Sequence, residues 1–253
     1  MLISAKRILG HSLEAADGRI GRVADLDFDD QSWIVRYVVV DTGGWLTGQQ
    51  VLISPVAFGH PDWKQKVIPV ALTKQQVEHS PPINAHQTVS RRMEAALQEH
   101  YGWPAYWAEP PAEFAEAAPS PPRDRATRSG AEAKQAESEM HLRSMRELAG
   151  YRIHAGGGEV GRLEDFIVEA DAWRVRYLEV TTGKWLAGRA VLVSPAWLSH
   201  VSWSERSVHV DLPVSAIRSA PDYDPSQPIT RDYEKRLHAH YTRPVYWHVT
   251  RAL

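Results

Sequence analysis

One ungapped offset of 140 residues lays the chain on itself, and no other feature limits its fold as much. Gly10 falls on Gly150, Gly18 on Gly158, Gly21 on Gly161 and Asp25 on Asp165. Trp33 falls on Trp173, Arg36 on Arg176, Tyr37 on Tyr177, Trp45 on Trp185, Gly48 on Gly188 and Trp63 on Trp203. The register still holds at Ser54-Pro55 on Ser194-Pro195, Pro104 on Pro244 and Tyr106-Trp107 on Tyr246-Trp247. Roughly a third of the aligned positions are identical, and such self-similarity decides the architecture before any local pattern is read. Each copy of about 105 residues is of ordinary domain size and can hold its own core. The expected organisation is therefore a first domain at 1–107, a linker at 108–140 and a second domain at 141–253.

The linker is rich in Ala, Pro, Glu and Ser, and Phe114 is its only aromatic residue. Such a stretch buries too little apolar surface to offset chain ordering, so disorder is expected. Its proline-rich part up to Pro122 reads as stiff and extended, and Ala131 to Met140 as a helical lead-in to the second copy.

Each copy reads as β structure with short helices. Ile20, Val23, Leu26 and Phe28 alternate with polar residues, and Trp33 to Val40 is a β-branched and aromatic run. Asp29 to Ser32 makes the hairpin connection between them. Further strands are expected at Gln50–Ser54 and Lys66–Leu72, with a short helix at Lys74–Glu78 opened by Thr73. Ser90 and Thr230 are N-caps for helices of about three turns. Met93, Leu97 and Tyr101, matched by Tyr233, Leu237 and Tyr241, form one apolar stripe there. Short strands punctuated by turns at this spacing predict a small barrel per copy, a mainly β fold.

Composition removes several function classes. With 29 Lys+Arg against 31 Asp+Glu the net charge is −2, so no basic footprint marks a nucleic-acid partner. There are no cysteines, which excludes disulfides, thiolate metal sites and cysteine nucleophiles. No apolar run approaches the ~18–20 residues of a membrane span. Lys6 and Arg7 near the start precede no apolar signal core. A cytoplasmic protein with no membrane insertion is expected.

The series AADGRIGRV, FDD, WIVRYVVVDTGGWLTGQQVLISP, PDW and HYGWPAYW resembles a PRC-barrel domain. That fold occurs in the cytoplasmic part of the photosynthetic reaction-centre H subunit and in the ribosome maturation factor. The chain is most similar to stand-alone bacterial PRC-barrel proteins, which share the GGWL-G-VLISP segment and the Tyr-Trp ending. The resemblance covers both copies. It implies no catalytic motif, no cofactor and no metal. The second copy departs at AGGGEVGRL, at TTGKWLAG and at HYTRPVYW, so any function in the Asp41–Gly44 loop differs between copies. The H subunit's transmembrane helix and the ribosome factor's N-terminal domain have no counterpart here, so neither relative's partner is carried over.

Among candidate sites, the loop around Trp45 and Leu46, repeated at Trp185 and Leu186, stands first. Flanking glycines permit a tight excursion that would present a Trp-Leu pair to a partner. The bland alternative is that the loop folds back and the Trp caps the barrel end. Asp25, Asp27, Asp29 and Asp30 form an acidic strip, but it recurs only as Asp165, Ile167, Glu169 and Ala170. A solvated hairpin face is expected there rather than a Ca²⁺ site. His100 and His240 recur, as do His60 and His200, and His238 with His240 spaces two imidazoles to opposite helix sides, poor geometry for a metal. Packing or surface roles are expected for all. Gly156-Gly157-Gly158 reads as a hairpin turn, and Arg36 and Arg176 as structural cations paired with Asp41 or Asp25. The functional expectation is a non-enzymatic interaction module whose two copies form an intramolecular pair and whose other partner is a protein. The resemblance implies two alternatives: a soluble accessory of photosynthetic or respiratory membrane complexes, or an RNA-processing, ribosome-associated factor.

Overall fold

The computed structural model describes residues 1–46, 48–83, 89–107, 141–182 and 189–247. The first copy runs β1 (Leu2–Ser4), α1 (Ala5–Ile8), β2 (Ser12–Ala15), β3 (Gly18–Asp29), β4 (Val35–Asp41), β5 (Gln50–Ile53), β6 (Val67–Pro69), α2 (Lys74–Glu78) and α3 (Arg91–Tyr101). The second runs β7 (Leu142–Ser144), α4 (Met145–Leu148), β8 (Arg152–Gly156), β9 (Gly158–Glu169), β10 (Arg174–Thr182), β11 (Ala190–Val193), β12 (Leu198–Ser202), β13 (Ser207–Pro213), α5 (Val214–Arg218) and α6 (Arg231–His240). The linker lies outside the described residues, and with it the expectations made for it.

Local chemistry accounts for these elements. The alternation over Ile20–Phe28 becomes β3, with Ile20, Val23, Leu26 and Phe28 buried. The β-branched run becomes β4, where Tyr37, Val38 and Val40 are buried. Thr73 opens α2 in a capping box with Gln76, which satisfies two orphan amides at once. Ser90 and Thr230 accept from the amides of Met93 and Tyr233 and so cap α3 and α6.

The fold is mainly β, with two sheets. Among the described residues one has the order β5-β4-β3-β2-β6 and the other β11-β10-β9-β8-β13-β12. β2 with β6, and β8 with β13, are parallel pairs. The repeated glycines Gly21 and Gly161 are demanded by close backbone approach. A Cβ there would sit 2.2 Å from the carbonyl oxygens of Asp41 and Thr181 respectively, too close for any side chain.

The described residues divide into two compact units that do not follow the chain end to end. The second-copy unit comprises Met1–Gly10, Ser32–Val35 and Ser144–Leu253; the first-copy unit comprises His11–Gln31 and Arg36–Arg143. In the second-copy unit β1 runs antiparallel to β9, with Leu2 opposite Glu169, Ile3 opposite Val168 and Ser4 opposite Ile167. Ile3, Ala5 and Ile8 are buried. In the first-copy unit β7 pairs with β3. There the Asp30 amide donates to the His141 carbonyl at 2.9 Å, and Arg143 Nε lies 3.2 Å from the Asp30 carboxylate. Each copy's leading strand is therefore paired with the other copy's long strand. The second-copy unit also holds a reciprocal pair of bonds: Val35 N–H to the Trp173 carbonyl at 2.7 Å, and Val175 N–H to the Trp33 carbonyl at 2.8 Å.

The acidic strip is not the solvated face that its composition suggests. Asp27 and Asp29 are each 8% exposed, because β3 carries β7 alongside it as well as its hairpin neighbours. Asp29 accepts from the Gln31 amide at 3.0 Å. Gly156 to Gly158 is a turn, with Gly157 and Gly158 at φ of 111° and 136°.

Candidate functional site

Each unit buries a glutamate on the face of its long helix: Glu94 on α3 and Glu234 on α6, 0% and 2% exposed. In the first-copy unit the Tyr106 hydroxyl donates to Glu94 Oε1 at 2.5 Å. Arg91 Nη1 and His141 Nε2 lie 3.1 and 3.2 Å from Oε2. His141 Nε2 is also 2.8 Å from the Tyr106 oxygen, and Arg91 Nη2 is 3.3 Å from Nδ1. A guanidinium only donates, so Nδ1 accepts and the ring proton sits on Nε2. The His141 proton thus serves the phenol oxygen, with the carboxylate close by.

The Arg-Glu-Tyr part of this constellation recurs 140 residues on, with His238, at the position of Gln98, supplying the imidazole. The Tyr246 hydroxyl donates to Glu234 Oε1 at 2.8 Å, and Arg231 Nη1 lies 3.0 Å from Oε2. The Tyr177 hydroxyl is 2.9 Å from both Glu234 Oε1 and His238 Nε2. Burial pushes the His238 imidazole toward its neutral form, while its Nδ1 lies 2.8 Å from the Pro244 carbonyl. Burial, with the neighbouring Glu234 charge, holds the Tyr177 phenol far above its ordinary range and pushes Tyr246 up to about 12. Burial does the same to Tyr106, reinforced by Glu94.

Stacked cations complete both networks. Arg36 on β4 lies 3.8 Å from the Tyr106 ring centre, and Arg176 on β10 lies 4.1 Å from that of Tyr246. Arg91 stands 4.3 Å over Trp107 and Arg231 4.1 Å over Trp247. Arg176 also bonds Glu169 at 2.7 Å, and Arg36 feels Asp29 at the matching position. Their carboxylate neighbours are thus not the expected Asp41 or Asp25, because the side chains lie across the strand toward the helix and tail. Chemically the arrangement is a fastener: an aromatic-stacked, charge-assisted lock of helix and Tyr-Trp tail onto the sheet. The repeated Tyr-Trp ending marks a tail that packs back on a barrel, but it does not by itself point to the glutamates. The legible signal was an Arg-x-x-Glu pair at 91/94 and 231/234, one turn before a buried Leu on the apolar face.

Of the shared histidines, His60 and His200 are exposed, and His100 and His240 take packing roles. His100 Nε2 lies 2.8 Å from the Gln76 carbonyl and His240 Nε2 2.8 Å from that of Ala216, tying each long helix to the short one before it. His200 stacks on His209 at 4.1 Å, and His209 on His154 at 5.1 Å. Among the described residues no group of three or more His, Asp or Glu is placed to hold a metal ion. No described helix is long and apolar enough to cross a membrane.

The Trp45 loop is a 3-10 turn at Gly43–Leu46, closed by the Gly48 amide on the Gly43 carbonyl at 2.8 Å. Trp45 Nε1–H donates to the Ile20 carbonyl, and Lys74 Nζ lies 4.5 Å from the ring centre. Trp45 and Leu46 are both half-buried, so the ring is turned back and only part of the pair faces out. Trp185 and Leu186 lie outside the described residues.

The stretch that begins at the second leading strand and ends in α5 has a counterpart among known domains. Residues 140–216 match the PRC-barrel domain. A Deinococcus radiodurans protein described as uncharacterized is 36% identical over 75 residues, 30% of this chain and 27% of that protein. The chain thus spans about a quarter of that relative's length. The PRC-barrel match includes β7, yet the strand beside β9 in the second-copy unit is β1.

Proposed function

We propose that the chain is a non-enzymatic protein-interaction module in which two PRC-type barrels work as one covalent pair. The observation that carries this reading is the exchange of leading strands, β1 on β9 and β7 on β3. Strand exchange is a low-cost route from a monomer to a dimer, and duplication turns it into a single chain. The reciprocal Val35–Trp173 and Val175–Trp33 bonds have the pattern of a self-complementary contact, in which i meets j and j meets i. The buried titratable groups support a scaffold rather than a reaction: Glu94 and Glu234 each accept from a tail tyrosine and pair with an arginine of their own helix.

In this reading the outward parts of Trp45 and Leu46, and their counterparts Trp185 and Leu186, form the contact with a partner protein. The test is quantitative co-purification from the native cell with wild type and a Trp45→Ala/Trp185→Ala variant of unchanged circular dichroism. Selective loss of one recurrent partner in the variant is expected. An identical partner set and identical mass by light scattering would overturn the assignment.

A further inference from the structure

The second-copy unit contains a buried pair of carboxylates that the first copy lacks. Asp165 on β9 and Glu179 on β10 are cross-strand neighbours, 4% and 6% exposed. The corresponding residues are Asp25 and Val39. The exchanged start of the chain covers the pair. The Ser4 hydroxyl donates to Asp165 Oδ2, the Lys6 amide donates to Oδ1 at 3.2 Å, and Lys6 Nζ pairs with Glu164. The charged and titratable groups around Glu179 are Asp165 and Glu164 from β9 and Lys6 from α1. Tyr223 stands beside both carboxyls, with Arg7 and Asp224 around it.

We propose that Asp165 and Glu179 form a proton-loaded latch beneath the leading segment, which clamps Met1–Gly10 in acid and loosens it toward neutral pH. Two adjacent carboxylates in a dry site cannot both ionise without large cost, so one proton is shared while the segment is closed. Burial, then repulsion from Asp165, raises Glu179 to about 7; burial raises Asp165 as well. Opening the segment admits water and returns Glu179 toward its ordinary 4.5. Between those values the open form has lost its proton and the closed form has kept it, so rising pH favours opening. Above about 7 both forms are ionised and the effect levels off. β1 meets β9 through three residue pairs, whereas the carboxyls sit on two long strands, so the segment is the part that yields.

The experiment is amide hydrogen exchange on the full-length protein from pH 5 to pH 8, corrected for the intrinsic chemical rate. The reporters are Lys6 and Leu9, bonded to Asp165 Oδ1 and the Ala5 carbonyl. Their protection is expected to fall by about one to two orders of magnitude between pH 5 and pH 7 and then stay level. Ala149, matched to Leu9 by the repeat and bonded to Met145, is the internal control and changes much less. Glu179→Val, which copies Val39, is expected to flatten the Lys6 and Leu9 profile; Glu179→Gln serves if that variant does not fold. A profile that is flat in wild type, equally steep at Ala149, or unchanged in the folded variant overturns the latch.

Discussion

Replacing Glu234 with Gln keeps the side chain's volume and removes its charge, which makes it a direct probe of the repeated network. The carboxylate accepts from the Tyr246 hydroxyl at 2.8 Å and from that of Tyr177 at 2.9 Å, and faces Arg231 Nη1 at 3.0 Å. Hydrogen bonds to a charged group contribute about 1.5–3 kcal/mol each, and removing one partner of a buried pair costs about 3–5 kcal/mol. Two features discount that range. Gln still accepts through its carbonyl, and the Arg231 side chain is 48% exposed, so it regains water. The remaining penalty is an amide N–H₂ facing a guanidinium, donor against donor, in a site where Glu234 is 2% exposed. About 2–3 kcal/mol is expected, read as a lowered urea midpoint by circular dichroism. Glu234→Leu, which also leaves the Tyr246 hydroxyl without its acceptor, should cost more than Glu234→Gln. A single-variant loss below about 0.5 kcal/mol would show that the network does not fasten α6 and its tail.

Other substitutions test separate parts. Gly161→Ala drives a Cβ to within 2.2 Å of the Thr181 oxygen, and a loss above about 3 kcal/mol or failure to fold is expected; wild-type-like melting would refute the close approach. Ile3→Asp puts a charge at a site 6% exposed, and proteolysis should then cut Met1–Gly10 while sparing the rest of the chain. Trp45→Ala removes the bond to Ile20 and the Lys74 contact, which predicts a loss of about 1–2 kcal/mol by thermal melting. Burial and two stacked imidazoles hold His209 below its ordinary 6.5, so the unfolded chain takes up its proton first and stability falls as pH drops below 6.5. In His209→Val that acid-side loss, followed by melting temperature from pH 7 to 5, should shrink.

Much of the architecture was legible because local and repeated signals agree. Thr73, Ser90 and Thr230 cap where their side chains predict, and the alternation at Ile20–Phe28 gives a buried strand face. Pattern reading misses whatever depends on which copy supplies a neighbour. Leu2–Ser4 is too short to carry a strand pattern of its own, and only tertiary pairing sends it to β9. Asp27 and Asp29 look solvated until β7 is laid beside β3. Glu94 and Glu234 look like surface helix residues, because a charge on an apolar face is meaningful only once Tyr106 and Tyr246 fold back onto it. Asp165 and Glu179 lie on consecutive strands, but only the β9–β10 register, with its irregularities, sets them opposite each other.

The exchange of leading strands is tested most directly by cutting the chain between the copies. A protease site placed within 108–140 and cleaved in the folded protein leaves two halves, which are then diluted and examined by analytical ultracentrifugation. If each unit is completed by the other copy's leading strand, the halves stay together at submicromolar concentration and separate only when denatured. If they sediment as two independent folded species, with Met1–Gly10 as protected as before, the exchange is contradicted.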